Sequence, residues 1–138
     1  MIRKLGSGAY GKVMDVIYKK SGEHYAIKRF EEIFTKERSN RLLRELSILA
    51  NVKHPCLNKL VSIIPPEDFD NFNDVYLVID KCEMDMKKLM KSSKHLEEVQ
   101  VKSMIYDILC GVFYLHKADI LHRDLKPANI LVNNDCTI

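Results

Sequence analysis

The sequence predicts an α+β fold, in which a β-rich first part is followed by a helical second part. Two observations carry this prediction. In the first third of the chain, apolar residues alternate with polar ones, as they do in half-buried strands. Beyond residue 96 they recur at spacings of three and four, as on one face of a helix. With 138 residues, of which 46% are hydrophobic and 30% charged, the composition is that of a globular domain with one core.

The first predicted elements form a β-hairpin. Residues 12–19 and 23–30 both show the alternation of a strand, and the Lys-Lys-Ser-Gly turn at residues 19–22 joins them. A glycine-rich segment lies at the mouth of this hairpin.

A helix is predicted to follow the hairpin. From about residue 36 the period becomes helical, with Leu42, Leu46 and Leu49 on one stripe. The helix should end near Pro55, because the residue before a proline is disfavoured in the α conformation.

Two further strands and two further helices complete the predicted elements. Short apolar runs at residues 59–64 and 75–80 indicate strands, separated by a polar, proline-containing loop at 65–74. A short helix is predicted near residues 85–91, and a long one from about 96 to 116.

The change from strands to helices predicts a domain boundary. Residues 1–80 form the predicted first domain, residues 81–84 a hinge, and residues 85–138 the second domain. The long helix carries a wide apolar stripe, which we expect to be poorly covered. The stripe consists of Val101, Met104, Ile105, Ile108, Leu109 and Val112.

Composition argues against several classes of function. Runs without a charge, such as residues 108–115, are far shorter than the ~20 apolar residues that span a bilayer. The net charge of +3 is spread along the chain, so neither nucleic acid nor a membrane surface is an expected partner. The four cysteines form no CxxC pair, which favours free thiols in a reducing compartment. We expect a cytoplasmic or nuclear protein.

The glycine-rich segment is the first candidate binding motif. Gly6, Gly8 and Gly11 have GxGxxG spacing, and Val13 follows them. Glycines lack Cβ, so backbone N–H groups can close over phosphates, and Val13 would then lie on an adenine ring. A flexible hairpin turn explains the same residues about equally well. A Rossmann motif does not, because a strand and not a helix follows the glycines.

A lysine and a glutamate form the second candidate motif. The strand period places Ala26 and Lys28 on one face, which leaves room for a flat base and supplies a cation for its phosphates. Glu45 lies beside the apolar stripe of the first helix, where a carboxylate is costly unless paired. Lys28 is its predicted partner. The alternative is an ordinary surface lysine.

The third and most specific motif follows the long helix. Residues 122–129 read His-Arg-Asp-Leu-Lys-Pro-Ala-Asn. Asp124, Lys126 and Asn129 provide a base or hydroxyl-positioning group, a phosphate contact and a metal ligand within one short loop. A charged surface loop is the alternative, and the eight-residue match makes it much the weaker one.

In this order, the three motifs resemble those of the protein kinase family over essentially the whole chain. The resemblance is closest to mitogen-activated protein kinases, a group of serine/threonine kinases of the CMGC type. It is carried by residues 43–46, by residues 74–78 leading to 84–89, and by residues 121–129.

The resemblance implies ATP and Mg²⁺ as cofactors. Ile79 would stand at the back of the adenine pocket, and the backbone of Asp80 and Cys82 would meet the adenine edge. Asn129 would be the magnesium ligand. The full set implied for nucleotide binding is Leu5, Gly6, Ser7, Gly8, Ala9, Gly11, Val13, Ala26, Lys28, Ile79, Asp80, Cys82, Asn129 and Leu131.

The resemblance also assigns catalytic roles. Lys28, held by Glu45, would contact the α- and β-phosphates, Asp124 would accept or orient the proton of the substrate hydroxyl, and Lys126 would contact the γ-phosphate. The reaction would transfer the γ-phosphoryl group of ATP to serine or threonine in protein substrates. Arg123, together with Arg41 and Arg44, would receive a phosphorylated activation loop, which implies an upstream activating kinase; solvated helix charges are the alternative for the last two.

The resemblance places an Asp-Phe-Gly metal-binding motif shortly after Ile138. We therefore expect the chain to be an amino-terminal kinase fragment without meaningful activity by itself. A catalytically inactive fragment or pseudokinase that binds nucleotide or a partner is the competing hypothesis. A third possibility is compatible with both of these hypotheses. Residues 85–96 and the long helix would form a docking platform that binds short peptide motifs.

Overall fold

The computed structural model of the chain describes residues 3–8, 11–93 and 95–138. The α+β class predicted from the sequence is confirmed. The strands are β1 (Arg3–Gly8), β2 (Gly11–Ile17), β3 (His24–Phe30), β4 (Leu60–Ile64), β5 (Val75–Asp80), β6 (Met84–Asp85) and β7 (Leu131–Val132). The helices are α1 (Lys36–Asn51), α2 (Met86–Lys91) and α3 (Glu98–Lys117), and a 3-10 turn covers Pro127–Asn129.

The chain divides into two compact units. The first comprises Met1–Val52 and Asn58–Lys81, and the second comprises Lys53–Leu57 and Cys82–Ile138. The segment 53–57 thus belongs to the second unit, which no sequence signal indicated. The division of the chain into two functional domains with a hinge at 81–84 stays a prediction.

An antiparallel sheet with the strand order β1-β2-β3-β5-β4 forms the framework of the first unit. The turn between β2 and β3 closes when the N–H of Gly22 donates to the carbonyl of Tyr18 at 2.8 Å. Gly22 has a φ of 77°, a conformation that glycine adopts at little steric cost. The turn predicted at 19–22 therefore lies where the sequence indicated.

The core of the first unit lies between the sheet and α1. Phe30, Ile33, Leu42 and Leu77 are buried there, and Leu77 has no exposed surface. The leucine stripe of α1 supplies Leu42, against which Leu46 and Leu49 are partly buried. The helix ends at Asn51, ahead of the His54-Pro55 pair that predicted its end.

The second unit has its own apolar core. Leu89 of α2, Met104 of α3 and Val132 of β7 pack together. The strand pair β6–β7 and a hydrogen bond from the N–H of Met86 to the carbonyl of Ile130 tie α2 to the segment that follows the third motif. The side chains of Glu97 and Gln100 form a reciprocal capping box that starts α3.

The segment 53–57 packs along α3 at two successive turns. The ring of His54 lies 4.9 Å from that of Tyr114, centroid to centroid. One turn earlier, a Cβ built on Gly111 would lie 3.1 Å from the carbonyl oxygen of Cys56, so the absence of a side chain permits this approach. Gly111 is buried in the interior of a helix, where glycine is otherwise unfavourable.

The opposite side of α3 is exposed, as the width of its apolar stripe predicted. Ile105 is 52% exposed and Leu109 is 62% exposed, whereas Met104 and Leu115 are buried. No helix in the described ranges combines the length and the apolar content that a bilayer crossing requires.

Replacing Gly111 by valine should lower the free energy of unfolding by about 1–3 kcal/mol, because the new side chain must displace the backbone of Cys56. Ser103→Val, at an exposed position of the same helix, is the matched control and should change it much less. Chemical denaturation of the variants measures both. Equal effects of the two substitutions would mean that segment 53–57 does not pack on α3 as described.

Candidate functional site

The predicted site residues fall into two groups, one in each unit. In the first unit, the glycine-rich segment lies where β1 meets β2. Gly6 and Gly8 are in β1, Gly11 begins β2, and the register pairs Gly8 with Gly11. A strand follows the glycines, as the sequence predicted, and Ser7 pairs with Lys12. Ala9 lies outside the described residues.

Four predicted site residues share one face of this sheet. Val13 lies opposite Lys28, and Ala26 lies opposite Ile79. Residues directly opposite in an antiparallel pair, like residues two apart on one strand, present side chains to the same face. Ala26 is buried and Ile79 is partly buried against the core. Leu5 is half-buried, at the point where the β1–β2 register shifts.

The ion pair predicted between Lys28 and Glu45 is formed. The ammonium of Lys28 donates to the carboxylate of Glu45, and the two side chains are 29% and 26% exposed. The Nζ atom of Lys28 also lies 4.9 Å from the centroid of the Phe30 ring. Partial burial of a paired charge restricts its position, so the pair fixes the Lys28 ammonium on the face that carries Val13, Ala26 and Ile79.

Asp80 and Cys82, whose backbone was predicted to meet the adenine edge, flank Lys81, at which the first unit ends. Asp80 is the last residue of β5 and is exposed, and its N–H donates to the carbonyl of Lys59 at 3.1 Å. Cys82 is half-buried and begins the second part of the second unit.

In the second unit, Asp124, Lys126 and Asn129 form one hydrogen-bonded cluster. The Nζ atom of Lys126 lies 2.8 Å from Oδ1 of Asp124. The side-chain amide of Asn129 donates to Oδ2 and to the backbone carbonyl of Asp124, both at 2.8 Å. Pro127 starts the 3-10 turn that brings Asn129 back towards Asp124. The spacing of the motif thus produces the predicted juxtaposition.

The cluster favours the ionised form of Asp124. Hydrogen bonds from Lys126 first, and from Asn129 second, hold the pKa of the Asp124 carboxyl below its ordinary value. The Asp124 side chain is 62% exposed, so a substrate can reach it. An exposed carboxylate of this kind can accept a hydrogen bond from a hydroxyl group and orient it.

Asn129 has an oxygen atom of the kind that binds magnesium. Its amide nitrogen is used on Asp124, which leaves its carbonyl oxygen as a free hard ligand. Among the described residues no group of three or more His, Cys, Asp or Glu side chains could hold a metal. Magnesium in nucleotide sites is commonly bound by one or two protein ligands, together with phosphate oxygens and water. A single oxygen ligand from this part of the chain is therefore compatible with Mg²⁺ that is also bound by nucleotide phosphates. Leu131 follows in β7, half-buried and opposite Asp85.

The backbone geometry around Asp124 had no sequence signal. Arg123 has a φ of 59°, in the left-handed region, and the N–H of Asp124 donates to Nδ1 of His122 at 3.3 Å. A groove of about 310 Å³ also lies within the second unit. It is lined by Met84, Leu89, His95, Leu96, Gln100, Val132, Asn133, Asn134 and Cys136.

Comparison with known proteins decides the family. The protein kinase domain matches residues 1–138. The chain belongs to the protein kinase family. Similar proteins include mitogen-activated protein kinase 7 of Arabidopsis thaliana (39% identical, covering 99% of this chain and 38% of the relative) and mitogen-activated protein kinase 1 of Oryza sativa subsp. japonica (37%, 99% and 35%). Mitogen-activated protein kinase MPS1 of Pyricularia oryzae is 39% identical, with 99% and 33% covered.

These relatives confirm the resemblance to mitogen-activated protein kinases that the motifs indicated. The kinase chain described here spans 33–38% of their length.

Replacing Lys126 by methionine should raise the pKa of Asp124 towards its ordinary value, because the largest cause of the lowering is removed. In the unsubstituted kinase Asp124 therefore stays ionised to a lower pH than in the variant. NMR titration of the Asp124 carboxyl carbon measures both midpoints. Lys87→Met, at an exposed position of α2, is the control and should leave the midpoint unchanged. An unchanged midpoint in Lys126→Met would contradict the described cluster.

Proposed function

We propose that the protein containing this chain transfers the γ-phosphoryl group of ATP to serine or threonine hydroxyls of protein substrates. The observation that carries the proposal is the exposed, ionised Asp124, held by Lys126 and Asn129. Such a carboxylate can orient a hydroxyl for attack, and the neighbouring ammonium can contact the phosphoryl group that moves. Positioning and neutralisation of charge supply most of the catalysis in this reaction class.

Membership of the protein kinase family supports assigning both groups of residues to one nucleotide. Lys28, fixed by Glu45, would contact the α- and β-phosphates, and the backbone between Gly6 and Gly11 would cover them. Val13, Ala26, Ile79, Leu5 and Leu131 would enclose the adenine ring, with the backbone of Asp80 and Cys82 at its edge.

Asn129 would bind magnesium through its carbonyl oxygen. The metal would neutralise charge on the phosphates. The role of this chain is then to present one hard oxygen beside Asp124 and Lys126, whose own charges remain available to the substrate hydroxyl and the γ-phosphate.

The relatives support assigning protein substrates and an upstream activating kinase, since their names place them among mitogen-activated protein kinases. Arg41, Arg44 and Arg123 are the proposed receivers of a phosphorylated segment. A cytoplasmic or nuclear location remains our expectation, drawn from composition.

A peptide-docking role is a second candidate function, compatible with the first. The lining of the groove in the second unit combines the apolar side chains of Leu89, Leu96 and Val132 with the amide side chains of Gln100 and Asn133. Apolar walls with a few polar groups suit the side chains of a short peptide. The groove therefore favours residues 85–96 and the start of α3 as the site of the docking platform that the sequence suggested.

Lys28→Met in the complete protein should lower phosphoryl transfer to a protein substrate by at least about a hundredfold, because a preorganised cation facing the phosphates is lost. Circular dichroism of the variant checks separately that the sheet and α1 are retained, since Glu45 loses its partner as well. Lys20→Met, in the exposed β2–β3 turn, is the matched control and should keep full activity. Transfer of radiolabelled phosphate at saturating ATP measures the effect.

Turnover of Lys28→Met close to that of the unsubstituted protein would show that the lysine does not act on the nucleotide. Absence of transfer in the unsubstituted protein after treatment with an activating kinase, with ATP binding retained, would instead favour the competing hypothesis of an inactive binding module.

A further inference from the structure

A second ion pair lies on the face of the sheet that carries the proposed nucleotide residues. Asp15 of β2 is directly opposite Ala26 of β3, and Ala26 is directly opposite Ile79 of β5. Residues that are opposite each other in an antiparallel sheet point to the same side. Asp15 therefore belongs to the same row of side chains as two residues that are proposed to enclose the adenine ring.

Both oxygens of the Asp15 carboxylate have basic partners. Nδ1 of His24 lies 3.0 Å from Oδ1, and Nζ of Lys81 lies 3.8 Å from Oδ2. The Asp15 and Lys81 side chains are 15% and 13% exposed, less than those of the Lys28–Glu45 pair. Charged groups with so little access to water are costly unless they are paired, so the pairing restricts where both side chains can lie.

The Lys81 side chain reaches across the sheet to make this contact. β3 lies between β5 and β2, and neighbouring strands are ~4.8 Å apart. Lys81 directly follows Asp80, the last residue of β5, so its ammonium must extend past β3 to approach Asp15 on β2. The pair therefore ties the end of β5 to β2.

The position of Lys81 affects the backbone of Asp80. The carbonyl of Asp80 and the N–H of Lys81 belong to one planar peptide unit, so a constraint on Lys81 restricts the direction of that carbonyl. On its other side, the N–H of Asp80 donates to the carbonyl of Lys59 at 3.1 Å. Asp80 is therefore held on both sides, by Lys59 and by Lys81 with Asp15.

We propose that Asp15 is a positioning residue for nucleotide recognition, which anchors Lys81 and so directs the Asp80 carbonyl at the adenine edge. The inference rests on the proposed function, which places the Asp80 backbone at that edge. Adenine presents an amino group as a hydrogen-bond donor where guanine presents an oxygen acceptor. A carbonyl held in one direction favours the donor, so the Asp15–Lys81 pair contributes to the selection of ATP over GTP.

Three variants separate the pairing of charges from the filling of space. Asp15→Asn keeps the shape of the side chain and removes its charge, and Lys81→Met keeps an apolar chain without the ammonium. Lys81→Arg keeps the charge on a longer side chain, which the 3.8 Å separation can accommodate. Lys20→Met, at an exposed position of the β2–β3 turn, is the control.

In the complete protein, Asp15→Asn and Lys81→Met should each raise the KM for ATP by about threefold to tenfold, with kcat at saturating ATP within about twofold of the unsubstituted value. Each should also lower the preference for ATP over GTP, measured as the ratio of the two kcat/KM values. Lys81→Arg and Lys20→Met should leave both quantities unchanged.

Two results would overturn the proposal. The first is a KM for ATP that is unchanged in Asp15→Asn and Lys81→Met, or that rises as much in Lys81→Arg as in Lys81→Met. The second is an unchanged preference for ATP over GTP, because that is what a purely structural role of the pair predicts. Circular dichroism shows whether each variant folds, and Lys81→Met alone carries the test if Asp15→Asn does not.

A binding measurement keeps the test independent of phosphoryl transfer. The Kd for ATP, from titration calorimetry, should rise in Asp15→Asn and Lys81→Met as KM does. A raised Kd in these variants, with no transfer by the unsubstituted protein, would count against the proposed function and support the role of Asp15. Normal transfer with an unchanged Kd in both variants would leave the proposed function standing and overturn the inference.

Discussion

The ion pair between Lys28 and Glu45 determines how α1 meets the sheet in the first unit. Glu45 lies beside the apolar stripe of α1, where an unpaired carboxylate would lose its hydration without compensation. Pairing with Lys28 on β3 removes that penalty, and it fixes the rotation of the helix that also buries Leu42 against Leu77. The same pair prevents the Lys28 ammonium from turning out to solvent. One interaction thus serves both the packing of α1 and the presentation of a cation.

In the second unit, the proposed reactive group, Asp124, is positioned by hydrogen bonds and not by packing. Asp124 lies in an exposed loop, where Lys126 and Asn129 donate hydrogen bonds to its carboxylate and its own N–H donates to Nδ1 of His122. Hydrogen bonds to a charged group are stronger than neutral ones, which suits a loop that lacks apolar packing. Lys126 is also the proposed phosphate contact, and Asn129 is the proposed metal ligand. The residues that order the loop are therefore the same ones that are proposed to bind ATP and magnesium.

Much of this arrangement could be predicted from the sequence because it depends on short-range periodicity. The strand Val75–Asp80 lies where the apolar run indicated, and the periods of strand and helix put Lys28 and Glu45 on inward-facing sides of β3 and α1. The packing of Cys56 on Gly111 could not be predicted, since it joins residues far apart in the chain. The left-handed conformation of Arg123 could not be predicted either, because arginine has no preference for a positive φ.

A double-mutant cycle in the complete protein tests the central claim, that Glu45 acts through Lys28, most directly. The kcat/KM for ATP is measured for Lys28→Met, for Glu45→Gln and for both substitutions together. If the two residues act as a unit, Glu45→Gln lowers kcat/KM in the unsubstituted protein but has little further effect once Lys28 is replaced. Losses that multiply in the double variant would show that Glu45 and Lys28 act independently and would contradict the account.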